Sequence, residues 1–164
     1  MNTKNRVNRT GGTISRRASR FIRAEDAIHH DELWCHVEKL CSPETTAPEH
    51  LLLVRATMPP GQAHNLHRHP GREEIIYVLE GQAEQWVGRE KRLLGPGDLA
   101  LIPRNVTHGT FNVGPGTLRF LAILSPVEAP GPFTVDVFDE EPWKTLRPPV
   151  PYPGYQPLRE PQAD

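Results

Sequence analysis

Four side chains near the middle of the chain have the types and spacing of a set of metal ligands. His67 and His69 are two residues apart, and on a β-strand this spacing places both imidazoles on the same face. Glu74 follows a Pro70-Gly71 turn, and His108 lies 34 residues beyond Glu74. Three imidazoles and one carboxylate suit a divalent transition metal ion, such as Mn, Fe, Zn or Ni, with coordination positions left open. We therefore predict that these four side chains bind one such ion per chain.

The spacing of these residues resembles that of the two sequence motifs of the cupin family. The first motif is matched by Gly61, His67, His69, Glu74 and Gly81, and the second by Gly97, Pro103, His108 and Asn112. Asn105 stands where the family usually has a second glycine, and asparagine is the next most tolerant residue at a positive φ. The resemblance covers residues 61–112, extends more loosely over residues 33–138, and does not cover the two ends of the chain.

This resemblance implies an all-β protein with a cupin-type double-stranded β-helix, which is a jelly-roll barrel. It also implies the same four metal ligands, and a homodimer, because members of the family commonly pair through edge strands. Metal-binding members include dioxygenases, isomerases, decarboxylases and hydrolases, while other members are sensors or have no known reaction. The fold and the metal therefore do not select a reaction.

Hydrophobic patterning predicts an all-β barrel independently of that resemblance. Short apolar segments recur roughly every ten residues and are separated by turns rich in Gly, Pro and Asp. The predicted strands are residues 33–38, 50–58, 75–79, 83–87, 92–94, 99–102, 108–112 and 117–124, with an edge strand at 133–138 and a short helical turn at 24–32. Strand alternation predicts that six residues point inward: Asn65, Ile76, Val78, Gln85, Thr110 and Asn112.

The two ends of the chain differ in composition from its middle, so we predict three segments. Residues 1–23 contain seven Lys or Arg and no acid, although the whole chain has a net charge of −1, and they are predicted to form a basic, flexible tail. Residues 24–140 are predicted to form the barrel. Residues 141–164 are Pro-rich and predicted to be extended. This arm either lies over its own barrel or a neighbour, anchored by Trp143, Tyr152 and Tyr155, or remains a flexible tail.

Composition also bears on partners and location. The near-neutral net charge gives no general case for nucleic acid, and the basic tail has Phe21 as its one aromatic residue for stacking on single strands. No apolar run approaches the ~18 residues that a membrane span needs, and no apolar signal region follows the basic tail, so we expect a cytoplasmic protein. In that compartment Cys35 and Cys41 are expected to be reduced, although they could pair.

The sequence leaves the reaction open. The predicted inward residues are mostly neutral, and no dedicated general base is visible among them, which favours chemistry at the metal itself. A metal-dependent enzyme that acts on a small organic molecule is therefore favoured. An oxygenase of an organic acid, phenol or diketone comes first, and an isomerase or decarboxylase is an alternative. The alternative from a different class is a non-catalytic module that binds a small ligand or metal, or a sensor.

Other polar and aromatic residues near the motifs have two interpretations each. His64 has the opposite strand parity from the ligands, so it is predicted to lie outside the ligand set, either behind a ligand, at the rim or in an ordinary loop. Trp86 and Phe111 either line the mouth of the barrel or fill its core, with core filling favoured. His36 and Arg55 could reach the mouth and pair with a substrate carboxylate.

Overall fold

The computed structural model describes residues 19–161, which fold mainly into β-strands. The strands are β1 (Ile28–Asp31), β2 (His36–Cys41), β3 (Leu52–Met58), β4 (Ala63–Arg68), β5 (Glu73–Glu80), β6 (Ala83–Val87), β7 (Glu90–Leu94), β8 (Leu99–Ile102), β9 (His108–Asn112), β10 (Leu118–Ser125) and β11 (Val135–Asp136). Helical structure in these residues is limited to a 3₁₀ turn at Ala24–Asp26 and one turn of α-helix, α1 (Trp143–Leu146). Neither is long and apolar enough to cross a membrane.

The strands form two antiparallel sheets. Six strands form the first sheet in the order β1-β2-β3-β10-β5-β8, and five form the second in the order β11-β4-β9-β6-β7. Strands that are distant in sequence are neighbours in space, since β10 pairs with both β3 and β5, and β4 pairs with β9. The last pairing brings the first sequence motif against the second. This architecture confirms the predicted all-β fold class.

The space between the sheets is filled by alternate residues of the strands. In β10 every second residue from Leu118 to Leu124 is buried. These side chains pack with inward residues of both sheets, such as Met58 and Ala83, in one hydrophobic cluster. A strand with one buried face has a buried side chain at every second residue. The alternation of apolar and polar residues in the sequence therefore identifies the side chains that form the core.

The C-terminal arm, residues 141–161, lies across the outer face of the second sheet. Asn65 in β4 donates to the carbonyl of Val150 at 2.8 Å and accepts from the N–H of the same residue at 2.9 Å. Further along, the Tyr155 hydroxyl donates to Asp136 Oδ2 at 2.7 Å. Beneath the arm is a second hydrophobic cluster, formed by Ala63, Leu66, Trp86, Phe111, Val135 and Val137, with Trp143 packed against it. The arm therefore removes from water an apolar sheet face of its own barrel.

The first hairpin differs from the sequence-based prediction. Residues 33–38 are predicted as one strand, but Leu33 and Trp34 lie in the connection between β1 and β2, where the N–H of Glu32 donates to the carbonyl of Cys35 at 2.9 Å. A tight turn followed by a strand produces the same alternation of apolar and polar residues as a longer strand. The helical turn predicted over residues 24–32 is confined to the 3₁₀ turn, and β1 occupies the rest.

Two further expectations concern the cysteines and the basic tail. Cys35 and Cys41 are both free thiols, as expected for a reduced protein. Most of the predicted basic tail, residues 1–18, lies outside the described residues.

Two turns depend on residues with a positive φ. Gly81 has a φ of +85°, and a Cβ at this position would lie 2.5 Å from the carbonyl oxygen of Thr117. Asn105 has a φ of +63°, and its side-chain oxygen accepts a hydrogen bond from the N–H of Gly71 at 2.8 Å. This bond joins the loop between β8 and β9 to the turn between β4 and β5.

We predict that Gly81→Ala lowers the thermal unfolding temperature more than Gly61→Ala does. Both positions have a positive φ, which costs an L-residue roughly 1–2 kcal/mol. A Cβ at Gly61 meets nothing within 4 Å, whereas a Cβ at Gly81 meets backbone atoms of the neighbouring turn. Differential scanning calorimetry of the two variants separates backbone strain from steric clash. Equal losses in both variants would contradict the close approach at Gly81.

Candidate metal centre

The two sheets together bring the predicted ligands to one place. His67 and His108 are cross-strand partners on β4 and β9 in the second sheet, and His69 directly follows β4. Glu74 lies on β5 in the first sheet, across the barrel. All four residues are buried, with at most 5% of the surface of each exposed. One ligand atom from each lies within 4.8 Å of the others, so the structure assembles the complete predicted set.

Backbone carbonyls fix the orientation of the three imidazoles. In His67, His69 and His108, Nδ1 lies 2.7, 2.7 and 2.9 Å from a carbonyl oxygen. The carbonyls belong, in the same order, to Asn65, Phe133 and Val106. A carbonyl oxygen only accepts hydrogen bonds, so each Nδ1 carries the proton and each neutral ring presents an unprotonated Nε2.

The unprotonated nitrogens and the carboxylate converge on one point. Nε2 of His67 and Nε2 of His69 are 3.3 Å apart, and Nε2 of His108 is 2.7 Å from Oε2 of Glu74. With the proton on Nδ1, each of these contacts joins two acceptors. Among the described residues, Glu74 Oε2 and His108 Nε2 have no hydrogen-bond partner. Four convergent electron pairs in a buried site call for a cation between them, so the residues fit a divalent transition metal.

Burial keeps His67 and His69 neutral. It lowers the pKa of His67 well below its ordinary value, and the neighbouring imidazoles of His64, His108 and His69 lower it further. Burial also lowers the pKa of His69, although Glu74 opposes that shift. For Glu74, burial alone would raise the pKa, but the charge that His108 and His69 would carry when protonated outweighs burial and lowers it. Neutral imidazoles beside an ionised carboxylate are the protonation state that metal binding requires.

A cavity of about 480 Å³ has the four candidate ligands in its wall. The rest of the wall is mainly apolar and contains six aromatic residues: Trp34, Phe120, Phe133, Phe138, Tyr152 and Tyr155. The two tyrosines belong to the C-terminal arm, so this arm supplies part of the cavity wall. Exposed charged residues, including Glu32 and Glu44, mark the mouth. Among the described residues, the wall contains no arginine and one lysine, Lys39, which pairs with Glu44 at 3.5 Å.

The residues predicted to face inward divide into two groups. Asn65, Ile76 and Thr110 line the cavity. The other three belong to the packed interior: Val78 lies in the hydrophobic core, Gln85 accepts a hydrogen bond from Thr110, and Asn112 donates to the carbonyl at the end of β3. Trp86 and Phe111 fill the cluster beneath the C-terminal arm, which is the favoured interpretation.

The prediction that His36 and Arg55 reach the mouth is wrong. Arg55 pairs with Glu38 at 2.5 Å, and His36 pairs with Asp31 at 2.7 Å. Their strand neighbours Val37 and Ala56 point into the core, so alternation places His36 and Arg55 on the outer face of the first sheet. Residue type alone suggested a role that strand parity excludes.

A β-bulge places His64 in the cavity. The pairing of β4 with β9 shifts register between His64 and His67, so both rings face the cavity although three residues separate them. The two ring centroids are 3.7 Å apart, and His64 also stacks on Trp34 at 4.2 Å. Burial lowers the pKa of His64 well below its ordinary value. His64 lines the cavity, and in the described chain its ring nitrogens have no hydrogen-bond partner. The sequence predicted that His64 and His67 point to opposite faces of the strand. This prediction was wrong because strict alternation takes no account of a bulge between them.

Comparison with known proteins identifies the family. The sequence profile of the cupin domain matches residues 54–124. The chain is 31% identical over 85 residues to the oxalate-binding protein of Thermotoga maritima, and the alignment covers 52% of this chain and 70% of that protein. The chain belongs to the cupin family.

Two other similar proteins come from Streptomyces. This cupin is 34% identical over 103 residues to the polyketide synthase CurC of Streptomyces cyaneus, which covers 63% of this chain and 66% of CurC. The structure of the polyketide cyclase RemF from Streptomyces resistomycificus matches with a TM-score of 0.60 at 27% identity, covering 77% of this chain and 91% of RemF. This cupin spans 59–70% of the lengths of three curated relatives that it matches with at least 31% identity. These likenesses confirm the double-stranded β-helix expected from the sequence.

Arg72 holds the segment that orients His69. Its guanidinium lies 4.9 Å from the centre of the Phe133 ring and donates to the carbonyls of Pro70 at 3.0 Å and Pro132 at 3.4 Å. The carbonyl of Phe133 in turn accepts the Nδ1–H of His69. Arg72 is buried, burial lowers its pKa, and its Nε has no hydrogen-bond partner among the described residues. Its contacts therefore make Arg72 a positioning residue for this cupin's candidate site.

We predict that Arg72→Met weakens Co²⁺ binding by the cupin at least about tenfold, as is common when a group behind a metal ligand is removed. The substitution leaves the Phe133 carbonyl without the clamp that fixes its position. Arg68→Met is the matched control, because Arg68 pairs with Glu160 at 3.0 Å outside the cavity. Isothermal titration calorimetry measures both affinities. Equal affinities in the two variants would contradict the positioning role.

We predict that the metal-free cupin loses stability as pH falls from 7.5 to 5.5. In the unfolded chain His64 and His67 take up protons near a pKa of about 6.5. In the folded chain burial lowers both pKa values well below that. The unfolded state therefore binds more protons as pH falls, and each such histidine removes up to about 1.4 kcal/mol over this range.

Urea unfolding of EDTA-treated protein at the two pH values measures this loss. His50→Ala is the control, because His50 is exposed and its removal should leave the pH dependence as in the wild type. His64→Leu should reduce the loss. The same unfolding free energy at both pH values would contradict the burial of these rings in neutral form.

Proposed function

We propose that this cupin is an enzyme that binds one divalent transition metal through His67, His69, Glu74 and His108 and acts on a planar, mainly apolar organic molecule with carbonyl or phenol oxygens. One observation carries the proposal. The acceptor atoms of four buried side chains converge in the wall of an otherwise apolar cavity. Such a cavity sequesters a substrate and presents one of its oxygens to the ion.

The character of the wall supports this class of substrate. A small dianion such as oxalate would need cationic groups to replace its hydration, and Lys39, the one Lys or Arg that the described residues place in the cavity wall, already pairs with Glu44 at 3.5 Å. Six aromatic residues instead offer flat apolar surfaces to a planar molecule. CurC and RemF carry polyketide names, and a polyketide is an oxygen-rich compound of this general kind. We therefore assign a β-dicarbonyl or phenolic compound as the substrate class.

His64 is the residue that would exchange a proton with such a substrate. When bound, the metal would act as a Lewis acid that polarises a carbonyl or phenol oxygen. His64 is neutral and free of hydrogen bonds in the described chain, and it is stacked against His67 with its nitrogens at the cavity. In this proposal His64 accepts the proton of the carbon next to the polarised carbonyl. The apolar wall would keep water from competing for that proton.

Two outcomes of this activation are candidates. Ring closure is favoured by the likeness to the cyclase RemF and by His64, which would take a proton from carbon and return one to the acceptor carbonyl oxygen. Oxygenation, the reaction favoured by the sequence alone, is supported by the ligand set. Three imidazoles and one carboxylate leave coordination positions for both a substrate oxygen and O₂. A cytoplasmic homodimer remains the predicted location and assembly.

We predict turnover of acetylacetone, 2-acetylresorcinol or a linear triketone when the cupin is loaded with Fe²⁺, Mn²⁺ or Zn²⁺. Oxygen uptake and product masses are measured under air and under nitrogen. Turnover that requires air identifies an oxygenase, and turnover that persists under nitrogen identifies proton-transfer chemistry such as ring closure. Glu74→Gln and His108→Ala should lose both the metal and turnover, while His50→Ala should keep both.

His64→Phe tests the proton-transfer role separately. Phenylalanine preserves the stack between Trp34 and His67, so metal content should stay as in the wild type while turnover falls by roughly 10²–10⁴-fold. Unchanged turnover in this variant would remove His64 from the mechanism. Absence of turnover with every metal and substrate, together with tight binding of a small ligand, would overturn the enzyme in favour of a binding module.

A further inference from the structure

A group of histidine and acidic side chains lies on the first hairpin, outside the barrel. The register of β1 and β2 places His29 opposite Glu38 and Asp31 opposite His36. All four project from the outer face of the first sheet, because their strand neighbour Val37 points into the core. None of the four lines the cavity, so they do not contribute to the barrel site directly. We name this group the hairpin cluster.

Two nitrogens of the hairpin cluster are spaced as two ligands of one ion. His29 Nδ1 and His36 Nε2 are 3.2 Å apart. Two nitrogens that each lie ~2.0–2.1 Å from one Zn²⁺ at the tetrahedral angle are roughly 3.3 Å apart. The spacing also matches the 3.3 Å between the Nε2 atoms of His67 and His69 in the barrel. The hairpin pair thus has nearly the same nitrogen spacing as two of the candidate ligands in the barrel.

Asp31 fixes the tautomer of one ring in the hairpin cluster. Its Oδ1 lies 2.7 Å from Nδ1 of His36. An ionised carboxylate only accepts, so Nδ1 of His36 carries the proton and Nε2 presents a lone pair towards His29. A carboxylate behind an imidazole in this way is the usual arrangement at zinc sites, because it orients the ring and makes its other nitrogen a better donor of electrons.

The geometry points to a second metal site on this cupin, in which His29 Nδ1 and His36 Nε2 bind a Zn²⁺-type ion and Asp31 holds His36 in the binding tautomer. Imidazole ligands select Zn²⁺, Ni²⁺ or Cu²⁺ over Mg²⁺ or Ca²⁺. Water completes the coordination, because the side chains of His29 and His36 are 45% and 41% exposed. Glu38 lies 4.0 Å from His29 Nδ1 and adds negative charge beside the ion.

Glu38 contributes as a neighbouring charge. Both of its oxygens accept hydrogen bonds at 2.5 Å from Arg55, which lies on the neighbouring strand β3. These bonds fix the position of the Glu38 carboxylate. The site therefore has two protein ligands, and it binds more weakly than the four-ligand group in the barrel. The ions at the two sites are distinguishable by affinity as well as by substitution.

An ion at this position would join two strands at the edge of the first sheet. β1 has four residues and pairs only with β2 in the described sheet. The connection between the two strands carries Trp34, which stacks on His64 in the cavity. Holding β1 to β2 therefore steadies one wall of the cavity. This gives the hairpin cluster a structural role that is separate from catalysis.

Zinc titration of the untagged, EDTA-treated full chain tests the site. The expected result by isothermal titration calorimetry is a tight equivalent of Zn²⁺ and a second, weaker one. His36→Ala and His29→Ala should each lose the weaker equivalent and keep the tight one. His50→Ala, on an exposed histidine, and His30→Ala, on a partly exposed histidine of β1 that faces the cavity, are controls and should keep both. His108→Ala should keep the weaker equivalent, so a failure of the barrel site is distinguishable from a failure of this one.

Two substitutions of Asp31 test its positioning role. Asp31→Ala should weaken the second equivalent about tenfold or more, while Asp31→Asn should restore most of the affinity, because an amide oxygen still accepts the Nδ1–H of His36. A weaker equivalent that persists in His36→Ala, or that disappears in His30→Ala, would overturn the site. A wild type that binds no zinc beyond the barrel equivalent would show that His29 and His36 share only a hydrogen bond.

Discussion

The candidate site depends on hydrogen bonds from three imidazoles to the main chain. Each ring gives its Nδ1 proton to a carbonyl oxygen, which leaves its other nitrogen with nothing to donate. The three carbonyls come from β4, from the loop before β9 and from the segment before β11. Because the partners are backbone atoms, no side-chain substitution at those positions removes them directly. The orientation of the ligands is therefore a property of the closed barrel, and includes chain beyond the two cupin motifs.

An apolar cavity changes what these four side chains can do. Desolvation keeps His67 and His69 unprotonated, and it makes every charge in the cavity act over a longer distance than it would in water. The aromatic wall comes from widely separated parts of the chain: the first hairpin, β10, the segment around β11 and the C-terminal arm. The candidate metal ligands lie in the two cupin motifs, whereas much of the wall that would select a substrate comes from the first hairpin, the segment around β11 and the C-terminal arm.

The sequence predicted the parts of this structure that follow from a period of two residues. The four metal-ligand candidates, the strand pattern of the core and the packing of Trp86 and Phe111 all follow from alternation or from motif spacing. Alternation failed where one residue breaks the period, as at the bulge in β4 that turns His64 into the cavity. It also failed at the first hairpin, where a tight turn imitates a continuous strand.

Other features involve residues that are distant in sequence. The pair formed by His29 and His36 depends on the register of two strands across a turn, which the sequence alone did not fix. The place of the C-terminal arm depends on contacts such as that between Asn65 and Val150, which are 85 residues apart. Composition identified an extended segment with aromatic residues, but only tertiary packing decides which surface such a segment covers.

Asn105 occupies a backbone conformation that glycine adopts with less strain, yet its side chain makes a bond that glycine lacks. That hydrogen bond joins the loop between β8 and β9 to the turn between β4 and β5. Its two residues lie three positions before His108 and three positions before Glu74. A glycine at this position would have less backbone strain at a positive φ, but it would lack the side-chain hydrogen bond. In this chain the asparagine accepts a strained backbone conformation and in return ties together two connections between the sheets, one next to Glu74 and one next to His108.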